Sequence, residues 1–520
     1  MLPQLTRRST YPTVISRRVT MENTALSSNL QRSMAITPGV VKKRVLPLLT
    51  AERFCSNAHV LGVLFCLFVN VSIGVSQTCV VLLVLYWLAF ALTNPKDIQI
   101  SHEAKSVLTP MFVWLFIAYL AALIGIKPLH ALQEIMSTTT YIVMPLAVYS
   151  MLTAHRNSRS VIIFKTFSYV FALVLGQLLA SAHTIGSELA GHELRPRPPG
   201  PVTESGQLVL IVPLVVALLY LGAAQSRGKR SVAVLLCAVF AATSSYLLAV
   251  WPEFFTLQSK MVPGIAVGAA LVLLIAAVAV LLYFSVRRLM RSPANMCRLN
   301  LWTLFYSAAF GIFIGTLIVN LKRGPWIGVA AALFFLGIMA SRRIALWTVV
   351  VSICVIAFIG PVRDRFAHTA DHFAIEGGRL EMWEIGIELA QRYPLGLGPD
   401  NASVMRELDP SLPTLHRHMH NNLINVAVET GWLGMMVFAW WMLALISFGP
   451  RVWRSAKSSS DRQTRWAAML VLGMSSAVLG WQVAGMVEYN FGDGEVRMIA
   501  FFYTGVMLAL SRKPTQNLNV

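Results

Sequence analysis

The sequence predicts an all-α polytopic membrane protein with about 12–14 transmembrane helices and one large loop on the outer side of the membrane. Of the 520 residues, 56% are hydrophobic and only 13% are charged, whereas soluble domains carry about 25% charged residues. Apolar stretches of membrane-spanning length recur from residue 58 to residue 510. Arginine and lysine are concentrated in alternate connecting segments, as expected when the cytoplasmic loops are the basic ones.

Fourteen apolar windows are candidate spans. Several are short, so a count of twelve or thirteen also fits. The windows are residues 58–75, 78–92, 110–126, 141–152, 161–182, 208–224, 232–251, 262–286, 301–321, 326–340, 344–359, 423–448, 466–487 and 498–510.

The distribution of basic residues orients these spans. With the N-terminus inside, most lysines and arginines fall on the inner side, which predicts that both termini are cytoplasmic. The same distribution accounts for the net charge of +20 without a nucleic-acid partner. The six cysteines include no CxxC pair and lie mostly in apolar stretches, so they are expected to be buried structural residues.

Five regions follow from this organisation. The predicted regions are a disordered basic cytoplasmic tail (1–54), N-terminal transmembrane helices (55–300), a core (301–448) that includes an outer loop (360–419), C-terminal transmembrane helices (449–511) and a short cytoplasmic tail (512–520).

The outer loop is the one connector of domain-like size, and it contains more acidic than basic residues, opposite to the chain as a whole. Its stretch "GRLEMWEIGIELAQRYPLGLGPDN" predicts an amphipathic helix from Arg379 to about Arg392, ended by Pro394 and the glycines that follow it. The predicted apolar face of this helix consists of Leu380, Trp383, Ile387 and Ala390.

The stretch "HNNLINVAVETGWLG" has the pattern H-N-x9-G-x-x-G, with His420 and Asn421 followed by Gly431 and Gly434. His420 is predicted to lie at the outer end of the span 423–448. An imidazole there can take up and release a proton near neutral pH, as a general base must. The two glycines allow close approach between helices.

Two cationic sites accompany this histidine. "LKRGPWIG" places Lys322 and Arg323 in a tight turn on the outer side, at the start of a span, where a basic pair suits a phosphate or diphosphate. Arg379 follows two glycines at the start of the predicted loop helix, which again describes an anion site. A base together with these cations suits transfer from a lipid-diphosphate donor to a hydroxyl.

Taken in order, "KRG" before a span, the R-x3-W helix with its Pro-Gly end, and H-N-x9-G-x-x-G resemble the O-antigen ligase/polymerase superfamily. Lys322 stands where that family has a small hydroxyl residue. The resemblance implies a GT-C type glycosyltransferase of the bacterial inner membrane, acting at the periplasmic face without metal or cofactor. It implies that His420 is catalytic and that Arg323 and Arg379, with Lys322 beside them, bind the diphosphate.

The expected donor is an undecaprenyl-diphosphate-linked glycan, and the expected acceptor is a hydroxyl of lipid A-core. Polymerisation of lipid-linked repeat units for O-antigen or exopolysaccharide is the close alternative, because the two activities share these motifs. Candidate supporting residues, which would orient the site or bind sugar hydroxyls, are Asn421, His418, Glu488 and Asp493.

Two other functions remain open from the sequence. His416, His418 and His420 alternate, so an extended segment could present all three to a zinc ion, although Arg417 between them is unfavourable. A membrane transporter would place ionisable groups inside its spans, where Lys165 and Glu429 are the main candidates.

Overall fold

The computed structural model describes residues 50–98, 100–154, 158–189, 200–223, 301–375, 378–404 and 418–512. Within these ranges the secondary structure is α-helical and contains no strand. Two short 3-10 helices lie at Pro95–Asp97 and Asn401–Val404. The α-helices are α1 (Ala51–Phe68), α2 (Ile73–Thr93), α3 (His102–Ile124), α4 (Pro128–Thr153), α5 (Arg159–Leu189), α6 (Pro201–Ala223), α7 (Leu301–Val319), α8 (Arg323–Ala340), α9 (Arg342–Phe358), α10 (Gly360–Ala367), α11 (Thr369–Ala374), α12 (Arg379–Arg392), α13 (Asn422–Ala456), α14 (Arg462–Ala484) and α15 (Gly494–Ser511).

Nine helices of the described part are long and apolar enough to cross a membrane: α2 to α6, α8 and α13 to α15. Helices α9 and α10 meet at a bend of 87° and make a tenth span if they are taken together. The prediction of an all-α polytopic membrane protein is therefore confirmed. The predicted spans 232–251 and 262–286 lie outside the described residues.

Helix α4 is much longer than the apolar window 141–152 that predicted it, because it begins at Pro128. Its first half contains polar residues, including Glu134 and Thr138, and these line an internal cavity described below. A polar helical segment that faces a cavity is compatible with the membrane interior, but it falls outside any window chosen for hydropathy.

The centre of the bundle is α14, which packs against α6, α8 and α13. At its crossing with α8, a Cβ atom on Gly328 would lie 2.6 Å from the carbonyl oxygen of Gly480, and the reverse distance is also 2.6 Å. Only glycines permit this approach of the two backbones, as is common between membrane helices. The crossing fixes the depth of α8 and therefore the position of its first residue, Arg323.

Aromatic residues anchor the turn between α14 and α15 to the bundle. The ring of Phe491 lies edge-on to Trp114 of α3, at 5.6 Å between centroids. Nearby, Trp441 of α13 stacks on Phe501 of α15 at 5.5 Å. Such ring pairs contribute about 0.5–1.5 kcal/mol each beyond the apolar area they bury, so this turn is held firmly against three helices.

Helix α12 begins and ends as predicted, at Arg379 and Arg392, and of its predicted apolar face Ala390 is buried. Leu380 and Ile387 are exposed. The helix turns Gly386 toward α13, where a Cβ atom would lie only 2.5 Å from the Ile424 side chain. The small size of Gly386, rather than the pattern of large residues, decides which face packs. The buried residues of α12 are Met382, Gly386, Leu389 and Ala390.

Helix α13 is interrupted at Gly431, whose φ of 73° and ψ of 175° are not helical. The Pro-Gly segment after α12 fits into this break. The amide of Leu397 donates to the carbonyl of Val428 at 2.9 Å, and the amide of Gly398 donates to that of Glu429 at 2.9 Å. The break therefore leaves carbonyl groups without helical hydrogen bonds, and amides of the loop donate to them. These bonds attach the segment after α12 to α13, the helix that begins beside His420.

Replacing Gly431 with alanine tests this docking. A Cβ atom there would lie 2.3 Å from the carbonyl oxygen of Pro394, and the positive φ adds strain of about 1–3 kcal/mol. We expect a clearly lower midpoint of thermal unfolding in detergent. Gly74→Ala is the matched control, since a Cβ atom at that position meets no heavy atom within 4 Å. Equal midpoints for the two variants would contradict this account of the break.

Candidate active site

The turn between α7 and α8 presents Lys322 and Arg323. Leu321 has a φ of 50°, an uncommon backbone conformation for a residue with a side chain, and Arg323 is the first residue of α8. The first turn of α8 lies on the segment after α14, because a Cβ atom on Gly324 would lie 3.1 Å from Cγ of Glu488. The basic pair is thereby brought to the same end of the bundle as Glu488.

A buried carboxylate holds the start of this turn. Glu204, in the first turn of α6, is 1% exposed. Its oxygens accept hydrogen bonds from Thr184 at 2.7 Å, from Asn320 at 3.1 Å and from Gln177 at 3.3 Å. Asn320 immediately precedes the strained Leu321, so Glu204 links α5 and α6 to the basic turn. The sequence analysis did not find this residue.

Arg379 enters the site as the first residue of α12. Gly378 before it is buried, and a Cβ atom there would lie 2.5 Å from the carbonyl oxygen of Ile375. The Arg379 guanidinium donates a hydrogen bond to Oε1 of Glu488 and lies over the ring of Phe373 at 5.5 Å. A salt bridge and a ring contact together fix the direction in which this cation points.

The two asparagines after His420 attach the start of α13 to the turn that follows α14. Oδ1 of Asn421 caps α13 by accepting from the amides of Leu423 at 2.9 Å and Ile424 at 3.1 Å. Its Nδ2 donates to the carbonyl of Met486 at 2.9 Å. Asn422 donates to Oδ1 of Asn490 at 2.8 Å. This network positions His420, whose φ of 46° is itself uncommon.

Glu488 lies between His420 and Arg379. Its Oε2 is 3.5 Å from Nδ1 of His420, while its Oε1 accepts from Arg379. Burial acts to raise the pKa of Glu488, but the interaction with His420 and the positive charges of Arg379 and Lys322 outweigh it, so the pKa lies below its ordinary value. The carboxylate is therefore ionised and lies near Nδ1 of the imidazole, which forms no hydrogen bond with the described residues.

These groups line one cavity of about 300 Å³. Four of its lining residues are cations and one is an acid, so the site is suited to a multiply charged anion. Nη1 of Arg323 is buried and has no hydrogen-bond partner among the residues that the structure describes. Arg365 of α10 was not predicted, since no motif surrounds it. The lining residues are Leu321, Lys322, Arg323, Arg365, Ile375, Gly378, Arg379, His420 and Glu488.

The two remaining candidate residues, His418 and Asp493, do not line this cavity. The ring of His418 is 4.3 Å from that of His420 and 5.5 Å from that of Tyr489. His418 lines a second cavity, of about 720 Å³, as does Asp493. Asp493 is absent from the lining of the cavity that contains His420 and Arg379. His416 lies outside the described residues, and no group of three or more His, Cys, Asp or Glu within them could hold a metal ion.

The helices define a polytopic membrane protein with a cation-lined cavity at one end of the bundle. The segment that carries His420, Arg379 and the basic turn matches the family model described as O-Antigen ligase, over residues 308–439. This match confirms the resemblance to the O-antigen ligase/polymerase superfamily over that segment. No curated protein matches the chain.

Glu488 and Asp493 lie after the matched segment, in the turn between α14 and α15. Hydrogen bonds from this turn to the asparagines after His420 bring Glu488 into the site. The sequence indicated these acids as candidates only because they lie in a connector that is predicted to be on the outer side. The pairing of Glu488 with both His420 and Arg379 follows from tertiary structure.

The two acids of this turn differ in their electrostatics. Burial, together with the charges of Glu495 and Glu488, raises the pKa of Asp493 to about 7, although Arg497 acts in the opposite direction. The folded protein therefore binds a proton at Asp493 more tightly than the unfolded chain does. The resulting contribution to stability is present at low pH and is lost as the pH rises toward 7.

Asp493→Asn should therefore raise the midpoint of thermal unfolding at pH 8, where the wild-type side chain is ionised and partly buried, and have a smaller effect at pH 5. The measurement is thermal unfolding in detergent at both pH values. Asp364→Asn is the control, since Asp364 is 67% exposed and lines neither cavity. The same shift of the Asp493→Asn midpoint at both pH values would contradict this assignment.

Proposed function

We propose that the protein is an O-antigen ligase-like glycosyltransferase of the GT-C type. It moves a glycan from undecaprenyl diphosphate to a hydroxyl of lipid A-core at the periplasmic face of the bacterial inner membrane, in lipopolysaccharide biosynthesis. The observation that carries the proposal is a single cavity, in a segment that matches the O-antigen ligase family, in which His420 faces four cations.

In the proposed reaction, the acceptor oxygen attacks the anomeric carbon of the donor sugar. The bond from that carbon to the diphosphate oxygen breaks, and the lipid diphosphate leaves with the bonding electron pair. The proton of the acceptor hydroxyl passes to Nε2 of His420, and the ionised Glu488 stabilises the resulting imidazolium. Glu488 is a positioning residue in this scheme, because it acts through His420 and Arg379.

The leaving diphosphate gains one negative charge during this step. Lys322, Arg323, Arg365 and Arg379 surround the cavity in which that charge would develop. Preorganised cations at such a place stabilise the transition state more than the ground state. Arg323 has a buried N–H group without a hydrogen-bond partner in the described part of the chain, and a phosphate oxygen would satisfy it.

The arrangement of helix ends supports a periplasmic site. Helices α8, α13 and α15 begin at the site, and α14 ends there. At the other ends of these helices, Arg159 donates to the carbonyl of Arg512 at 2.8 Å and to the hydroxyl of Thr464. Connectors that the charge bias assigns to the cytoplasm thus meet one another, away from His420.

Polymerisation of lipid-linked repeat units for O-antigen or exopolysaccharide is the second candidate, since the family match supports an O-antigen ligase/polymerase-like function in general. The glycan profile of a strain that lacks the protein separates the two. Loss of polymer from lipid A-core while lipid-linked polymer accumulates indicates a ligase. Caps of a single repeat unit on lipid A-core indicate a polymerase. A purified protein that moves a lipid-linked glycan across vesicles without forming a glycosidic bond indicates a transporter.

His420→Ala should lower the rate of glycan transfer by about 100-fold or more, the usual range for loss of a general base. The assay is transfer from a lipid-diphosphate-linked glycan by protein purified in lipid nanodiscs. The matched control is His368→Ala, whose imidazole is 71% exposed and lies outside both cavities. A wild-type rate for His420→Ala would show that another group accepts the proton.

Arg379→Lys should raise the donor KM and lower the transfer rate, together by about tenfold or more, because one ammonium cannot reproduce a guanidinium that bonds Glu488 and a phosphate at once. Arg392→Lys, at the opposite end of α12, is the control and should behave as wild type. Unchanged donor KM and rate for Arg379→Lys would remove this arginine from the proposed diphosphate site.

A further inference from the structure

Glu204 is a buried acid that lines neither of the two cavities. It lies in the first turn of α6, before the segment that matches the O-antigen ligase family model. A carboxyl group that is 1% exposed among apolar helices is costly unless several groups donate hydrogen bonds to it. An ionisable residue inside a membrane helix bundle calls for a functional explanation as well as a structural one.

Three of the side chains that donate to Glu204 lie on one face of α5. Gln177, Ser181 and Thr184 follow one another along that face, because their spacing matches successive helical turns. Their distances to the carboxylate oxygens are 3.3, 3.4 and 2.7 Å, respectively. These three bonds already attach α5 to α6, so the attachment of these two helices does not depend on a fourth donor.

The fourth donor comes from a different part of the chain. Nδ2 of Asn320, just after the end of α7, donates to Oε2 of Glu204 at 3.1 Å. Asn320 is itself buried, so the carboxylate replaces water as the partner of its amide. The next residue, Leu321, has a φ of 50°, and such a conformation persists only where surrounding contacts impose it. The bond to Glu204 is one of these contacts.

A second hydrogen bond holds the other end of the same turn. Nε1 of Trp326, in the first turn of α8, donates to the carbonyl of Leu317, in the last turn of α7, at 2.6 Å. The basic pair, Lys322 and Arg323, lies in the chain between this bond and the bond to Glu204. The path of the backbone is therefore fixed on both sides of the pair, which lines the cation-lined cavity.

We propose that Glu204 is a positioning residue for the donor diphosphate. Through Asn320 it keeps Leu321 in its uncommon backbone conformation. That conformation directs Lys322 and Arg323 toward the diphosphate in the cation-lined cavity. The inference rests on the proposed transferase function and adds to it a residue that lies outside the family segment and acts through the backbone of the basic turn.

The test compares two substitutions of Asn320 in the full-length protein in lipid nanodiscs at pH 8, with undecaprenyl diphosphate as the ligand. Asn320→Ala removes the hydrogen bond without changing the charge, and Asn320→Asp brings a second carboxylate against Glu204. Each should lower the equilibrium affinity for this lipid by about tenfold or more, because a displacement of about 1 Å at a positioning group is sufficient for such a loss.

Glu204→Gln is then combined with each variant. In the Asn320→Asp background its amide group can donate to the new carboxylate, while its oxygen still accepts from Gln177 and Ser181, so the double variant should regain the affinity of the wild type. In the Asn320→Ala background it finds no partner and should restore nothing. This pattern separates a positional effect from the electrostatic effect of an added charge, which Asn320→Ala does not introduce.

Val174→Ala is the control for a loss of stability. Val174 is fully buried on α5 and has no polar group, so this variant should unfold at a lower temperature and bind undecaprenyl diphosphate as the wild type does. Wild-type affinity of Asn320→Ala, or a double variant that binds no better than Asn320→Asp alone, overturns the inference and leaves the proposed function standing. A wild-type protein that does not bind undecaprenyl diphosphate overturns both.

Discussion

The carboxylate of Glu488 is shared between a histidine and an arginine, and much of the site is organised around it. One oxygen accepts from Arg379 and the other lies 3.5 Å from the His420 ring. An ionised carboxylate in this place holds the Arg379 guanidinium in direction and attracts a protonated imidazole. Without it, the Arg379 cation would lie in a partly buried cavity with no carboxylate beside it, which is costly when no anion is bound.

Glu488 depends in turn on how its own segment is attached. The turn between α14 and α15 is bonded to Asn421 and Asn422 at the start of α13 and is packed under the rings around Phe491. The Pro-Gly segment in the break at Gly431 ties α12 to the same helix. The segments that contain Glu488, His420 and Arg379 are therefore connected to one another. The crossing of Gly328 with Gly480 attaches α8, which begins at the basic turn, to the same group of helices.

The sequence was sufficient to predict the residues that its motifs contain. Arg323, Arg379 and His420 each stand beside glycine or asparagine residues whose backbone role is local, so their order along the chain indicated a common site. Arg365 and Glu204 could not be found in this way. Arg365 lies in a short polar helix without a motif, and Glu204 acquires its role from Thr184, Gln177 and Asn320, which tertiary packing alone brings together.

Helix lengths and helix faces also divide into features that the sequence predicts and features that only tertiary packing determines. Hydropathy located the apolar halves of the spans but not the first half of α4, whose polar residues Glu134 and Thr138 line a cavity. It did not indicate which face of α12 packs on α13, because a glycine and not a large side chain forms that contact. Internal cavities and close glycine crossings are properties of the assembled bundle.

The central claim is that the cavity beside His420 is built for a diphosphate. The most direct measurement is equilibrium binding of undecaprenyl diphosphate and undecaprenyl monophosphate to the purified protein in nanodiscs, for the wild type and for Arg323→Ala. We predict that the wild type binds the diphosphate at least about tenfold more tightly than the monophosphate, and that the variant loses most of this preference, since each charge-assisted bond contributes about 1.5–3 kcal/mol. Equal affinity of the wild type for the two lipids would contradict the account.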